Sequence, residues 1–102
     1  MLLEFAVVPV GKGESLGSEV SKVLDIVDES GLTYKVGSMS TVVEGNWDEL
    51  LELVKKCHNI VRAGGTRVVT TMKIDDRPLK ETGRITEKIG SVEAHLGREL
   101  KK

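Results

Sequence analysis

The densest run of hydrogen-bonding side chains in this chain is Ser38 to Trp47, SMSTVVEGNW. Read as a strand, it sends Met39, Thr41 and Val43 to one side and Ser40, Val42 and Glu44 to the other, because strand side chains alternate with period two. Gly45 then permits a turn, and Asn46 is suited to cap a following helix. The stretch is therefore expected to set one carboxylate, Glu44, at a strand end beside the hydroxyls of Ser38, Ser40 and Thr41 and a helix N-terminus. Such a corner suits a small polar ligand, and its residue types alone do not name which. The alternative for Glu44 is a solvated strand end, or a partner for the dipole of the helix that begins at Asn46.

Other chemistries find less support. Cys57 and His58 are neighbours, diverge by about 100° on a helix and cannot ligate one ion together. His95 lies far along the chain, so no metal site is expected. Cys57 falls at an apolar phase of its helix, where it reads as a buried thiol and not a nucleophile. The serines look like caps and turns, and no GxSxG pattern accompanies them. The loop GKGES has neither the length nor the GK[ST] ending of a phosphate loop. No catalytic residue is nominated, and no cofactor is expected. Glu4 stands in the middle of an apolar strand, where burial without a partner costs several kcal/mol, so pairing with Arg67 or Lys73, from the fourth strand or across an interface, is expected; the alternative for these groups is a ligand-facing polar floor. In DDRP, Asp75 or Asp76 is expected to cap a turn, with Arg77 pairing with one of them; the alternative is an element that gates a pocket or binds a cation.

These groups need elements to hold them. Leu2 to Val10 reads as a central strand, apolar on both faces except for Glu4. Ser18 is a candidate N-cap for a helix whose face carries Val20, Val23, Leu24 and Val27, ending at Ser30-Gly31. Leu32 to Val36 and Met39 to Glu44 form a hairpin, with Gly37 supplying a positive φ at the turn. Asn46 to Ala63 is the strongest helix, opened by a capping box of Asn46 with Glu49 and striped by Trp47, Leu50, Leu51, Val54, Cys57 and Val61. Thr66 to Asp75 alternates again, with Val68, Thr70, Met72 and Ile74 on one side. A last helix from about Thr82 to Leu100 carries Ile85, Ile89, Val92 and Leu96, and its Gly90 and Gly97 each cost about 1 kcal/mol against alanine. The order β-α-β-β-α-β plus a helix predicts an α+β, ferredoxin-like two-layer sandwich with an additional C-terminal helix. One sheet face is left open, which predicts a ligand floor or a subunit interface.

A length of 102 residues supports one domain, 1–102, around a single core. Fifteen basic and sixteen acidic side chains give a net charge of -1, which argues against a nucleic-acid or anionic-membrane partner. Phe5, Tyr34 and Trp47 are too few to build a base-stacking platform. No stretch approaches the roughly 20 apolar residues of a bilayer span. The opening MLLEFAVVPV lacks a basic leader and reads as a strand, so a cytoplasmic location is expected. The lack of Gln and the dense Lys, Glu and Arg usage lean toward a heat-adapted source.

With these residues in view, the chain resembles the thiamine-binding protein family along essentially its whole length. The resemblance rests on Pro9-Val10-Gly11 closing the first strand, on MSTVVEG from Met39 to Gly45, on the acidic helix that follows, and on RVVTTMKIDDR from Arg67 to Arg77. It implies a non-enzymatic domain that assembles into dimers or tetramers and binds thiamine or its hydroxymethylpyrimidine part. On the matching segment, it implies that Glu44 would accept a hydrogen bond from the aminopyrimidine or balance the thiazolium charge, that Ser38, Ser40 or Thr41 would orient ring nitrogens, and that Met39 or Trp47 would cover the ring. The alternative is a structural or regulatory self-association module without a specific ligand. An acylphosphatase-like enzyme would need an arginine in the loop after the first strand, and Val10 to Ser18 holds only Lys12.

Overall fold

A computed structural model describes residues 1–11, 17–79 and 83–100. The first strand, β1 (Leu2–Val10), is followed by α1 (Gly17–Glu29), the hairpin β2 (Thr33–Val36) and β3 (Thr41–Glu44), then α2 (Trp47–Arg62), β4 (Arg67–Asp75) and α3 (Arg84–Leu96). The four strands form one antiparallel sheet in the order β2-β3-β1-β4. This is the ferredoxin-like α+β arrangement with an added C-terminal helix.

The period-two pattern of β1 decides which residues build the core. Leu3 and Phe5 are buried, together with Val43 of β3, and pack against Val23 and Val27 of α1 and Leu50, Leu53, Val54, Cys57 and Val61 of α2. Leu53 belongs to this cluster although the sequence stripe omitted it, whereas Trp47, which the stripe included, is 51% exposed at the first turn of α2. A helix buries a stripe wider than one residue per turn, so Leu50, Leu53, Val54, Cys57 and Val61 fill the face and leave Trp47 at its margin. The Cys57 thiol lies 3.9 Å from the carbonyl of Val23, and burial pushes its pKa up to about 11. It is a small core residue in the neutral thiol form at physiological pH.

Local chemistry sets the ends of the elements. Asn46 accepts the amide N–H of Glu49 at 2.8 Å while the Glu49 carboxylate accepts the amide N–H of Asn46 at 3.1 Å, closing the capping box. Helix α1 begins at Gly17, so Ser18 lies inside its first turn and the capping position falls outside the described residues. Gly37 does not have a positive φ; an added Cβ would stand 2.9 Å from the carbonyl oxygen of Ser40, so this hairpin needs glycine for close approach. The Gly37 N–H donates to that same oxygen at 2.8 Å. Helix α3 runs only from Arg84 to Leu96, between the left-handed Gly83 and Gly97. Gly97 therefore ends the helix, because its αL conformation closes the last turn.

Replacing Leu50 by alanine is expected to cost about 3 kcal/mol of unfolding free energy, since it empties a site in the centre of the core. Trp47→Ala should cost less than about 1 kcal/mol, because half of that side chain is already in water. Urea denaturation of the two variants checks the contrast, and equal losses would contradict this packing.

Candidate functional site

Strand β1 outruns its neighbour. It pairs with β4 along its full length, Leu2 opposite Asp75 to Val10 opposite Arg67, but with β3 only from Leu2 to Phe5, which stands opposite Thr41. Among the described residues, no strand lies beside Ala6 to Val10 on the β3 side. The hairpin turns away there through Gly37 to Ser40, and α1 passes on the helix side. The result is a notch along the free edge of β1.

The notch has two ends of different character. Toward α1 it is a cleft of about 170 Å³, lined by Phe5 to Val8 of β1, Val20, Val23 and Leu24 of α1, and Val36 to Thr41 of the hairpin. Toward the open sheet face it continues into a recess of about 350 Å³, lined by Glu4, Phe5, Ala6, Met39, Ser40, Thr71, Met72 and Lys73. Phe5, Ala6, Met39 and Ser40 border both. At the polar end the Ser40 hydroxyl donates to the Glu4 carboxylate at 3.0 Å. The edge backbone next to them, beside which no described strand lies, offers alternating N–H donors and C=O acceptors. The notch can thus grip a flat heterocycle by its apolar faces, its hydrogen-bonding rim and a carboxylate.

Glu4 differs from its expected environment. It is exposed on the open face, and although Lys73 is its direct cross-strand neighbour, its hydrogen bond is to Ser40. Water at this face removes the burial penalty that would have forced an ion pair.

Glu44 and Trp47 lie elsewhere. With Met1, Gly45, Asn46, Glu49 and Asp76 they line a separate recess of about 410 Å³. Glu44 stands three residues from Thr41, about 10 Å along the strand. Its carboxylate is engaged: one oxygen accepts the Gly83 amide N–H at 3.1 Å and the other the Arg84 amide N–H at 2.6 Å. It caps a helix, as the alternative reading held, but the helix is α3 and not α2, which Asn46 caps. Arg84 completes the anchor by donating from Nη1 to the Asp75 carbonyl at 3.0 Å and pairing through Nη2 with Asp75 Oδ2 at 2.7 Å. Asp75 thus pairs with Arg84, seven residues beyond Arg77.

The six nominated residues therefore fall in two groups: Ser38, Met39, Ser40 and Thr41 border the notch, while Glu44 and Trp47 border the α3 anchor. Thr41 is 7% exposed, on the helix side of β3, whereas Met39 is 90% exposed at the hairpin tip. Glu4, Thr71 and Lys73 were not nominated. Glu4 and Lys73 carried a signal, a lone acid among apolar residues and a cation expected to face it; Thr71 carried none, since only the β1–β4 register brings it beside them. His58 Nδ1 lies 2.6 Å from Thr70 Oγ1, tying α2 to β4 away from the notch. No group of three or more His, Cys, Asp or Glu with metal-holding geometry occurs among the described residues, and no described helix is long and apolar enough to cross a membrane.

A family model described as "Thiamine-binding protein" matches residues 3–93. A relative from Mycobacterium bovis, named only as a UPF0045 protein, is 36% identical over 99 residues, covering 96% of each chain. Among solved structures, a hypothetical protein from Methanocaldococcus jannaschii superposes with a TM-score of 0.81 at 33% identity, covering 89% of this chain and 93% of its own. A protein from Thermotoga maritima, described as a candidate thiamine biosynthesis or salvage protein, superposes with a TM-score of 0.77 at 25% identity, covering 89% and 96%.

Removing the Glu44 carboxylate should free α3 without disturbing the sheet. Glu44→Ala is expected to lose about 1 kcal/mol, the value of a helix cap, and to speed amide hydrogen exchange across residues 84–96 while α2 stays protected. Unchanged exchange in that segment would show that α3 is held by something else.

Proposed function

The chain belongs to the thiamine-binding protein family, and from that premise we propose that it is a non-enzymatic binding protein for thiamine or its hydroxymethylpyrimidine part, held in the notch beside β1. The observation that carries this reading is the free edge of β1 from Ala6 onward, lying between an apolar cleft and the Glu4–Ser40 pair. An aminopyrimidine presents a ring nitrogen acceptor next to an N–H donor, the same pairing of groups that a neighbouring strand would offer to that edge. Glu4 accepts from the amino group or balances a thiazolium, and Ser40, already hydrogen-bonded to it, holds the carboxylate in place. Met39, Val20 and Leu24 supply apolar contact to the ring faces.

Glu44 is engaged in fixing the start of α3, and Trp47 lies with it at a recess apart from the notch.

Self-association belongs to the same proposal. Val8, Val10 and Val69 are each more than 40% exposed and lie together on the open face, Val8 directly opposite Val69. A patch of this kind is covered most economically by a second copy in a symmetric dimer, or by a dimer of dimers.

Calorimetry should detect saturable binding of thiamine and of hydroxymethylpyrimidine. Glu4→Gln and Ser40→Ala are each expected to weaken it, about tenfold for the charged partner, while Glu44→Ala leaves affinity within about twofold. Absence of binding at millimolar ligand, or loss with Glu44→Ala and not with Glu4→Gln, would overturn the assignment. Light scattering is expected to give a mass at least twice that of the chain, and Val8→Lys with Val69→Glu to change it; a monomer in the unsubstituted protein would refute the interface.

A further inference from the structure

The first row of open-face side chains uses up its acids. Glu44, Leu2 and Asp75 are cross-strand neighbours there, and both carboxylates are engaged by α3, Glu44 by the Gly83 and Arg84 amides and Asp75 by the Arg84 guanidinium. In the next row Lys35, Val42, Glu4 and Lys73 stand side by side across the four strands. Glu4 is hydrogen-bonded to Ser40. Lys35, Lys73 and, at the far end of β4, Arg67 are exposed and have neither a hydrogen bond nor an ion pair within 4 Å among the described residues. The charges that remain on this face are one acid against three cations. That balance calls for an anion.

Lys73 is the cation placed to receive it. It lines the same recess as Glu4, Ser40 and Thr71 and sits directly opposite Glu4 on the same face, where paired Cβ atoms are about 5 Å apart. A ligand that satisfies both must carry a hydrogen-bond donor and a negative charge on neighbouring atoms. On the aminopyrimidine proposed for the notch, the amino group and the hydroxymethyl group occupy adjacent ring carbons. A phosphate on that hydroxymethyl oxygen would lie next to the amino group. A phosphate on the thiazole side chain of thiamine would lie at the opposite end of the molecule.

We propose that the form of ligand this protein prefers is the phosphate monoester of the hydroxymethylpyrimidine, with Glu4 accepting from its amino group, Lys73 donating to its phosphate and the Thr71 hydroxyl beside them. The assignment rests on the notch reading above and adds to it the charge of the ligand. At neutral pH a monoester carries between one and two negative charges, and hydrogen bonds between ions are the stronger ones. Lys73 is the specificity-determining residue: it separates the ester from the free alcohol.

Calorimetry at low salt with hydroxymethylpyrimidine, its phosphate ester, thiamine, thiamine monophosphate and inorganic phosphate tests this. The ester is expected to bind about tenfold tighter than the alcohol, and the gain to shrink on adding salt. In Lys73→Met the ratio should fall to about one while affinity for the free alcohol stays within about twofold, and Lys73→Arg should restore most of the gain. Thiamine monophosphate should show no such advantage over thiamine. If the alcohol binds but the ester binds no tighter, or if the gain survives Lys73→Met, the assignment of Lys73 is overturned and the notch reading stands. An equal gain for thiamine monophosphate overturns the placement of the phosphate. Inorganic phosphate competing equally in Lys73→Met and the unsubstituted protein overturns the site. If none of the pyrimidines binds, the notch reading and this inference fail together.

Discussion

The unequal length of neighbouring strands is the constraint from which the rest of this molecule follows. β1 has nine residues and β4 has nine to match, whereas β3 has four. Backbone donors and acceptors in a sheet must be paired by a neighbour or by solvent, and among the described residues the outer half of β1 has a strand on its β4 side only. The hairpin turns back before it can cover that edge, its Gly37 lying so close to Ser40 that an added Cβ would stand 2.9 Å from the Ser40 carbonyl oxygen. The notch is what remains.

The two faces of the sheet are stabilised by different physics. The helix face is apolar and dry, with Leu3, Phe5, Val43, Leu50 and Cys57 sealed beneath α1 and α2. The open face is held at one corner by polar contacts, where Glu44 and Asp75 fasten the start of α3 across the end of β1. Anchoring by a carboxylate at the helix N-terminus and by an arginine fork satisfies orphan amides at a position where little apolar surface is available. Further along α3, Val92 and Leu96 are about half exposed.

The division also separates what Glu4 and Glu44 do, although both are acids on the same sheet face. Glu44 meets backbone amides, and its role is to hold a helix. Glu4, two positions from Leu2 along β1, accepts from a serine hydroxyl and stands opposite a lysine without pairing with it, which leaves it lone pairs to offer a ligand. Strand position decided this, and residue type did not.

The sequence by itself determined the order of elements, the strand phases and the capping box at Asn46, because those depend on spacing and on contacts within a few residues. It also determined that Ser38, Met39, Ser40 and Thr41 would lie together, since four consecutive residues cannot be far apart. Tertiary structure decided where that segment faces, that the Glu44 carboxylate goes to Gly83 and Arg84 forty residues away, that Lys73 and not Arg67 stands opposite Glu4, and that Thr71 shares their recess. Such pairings follow from strand register and from where one strand stops beside another. Each is a long-range outcome of packing the whole core, so no local pattern in the chain encodes it.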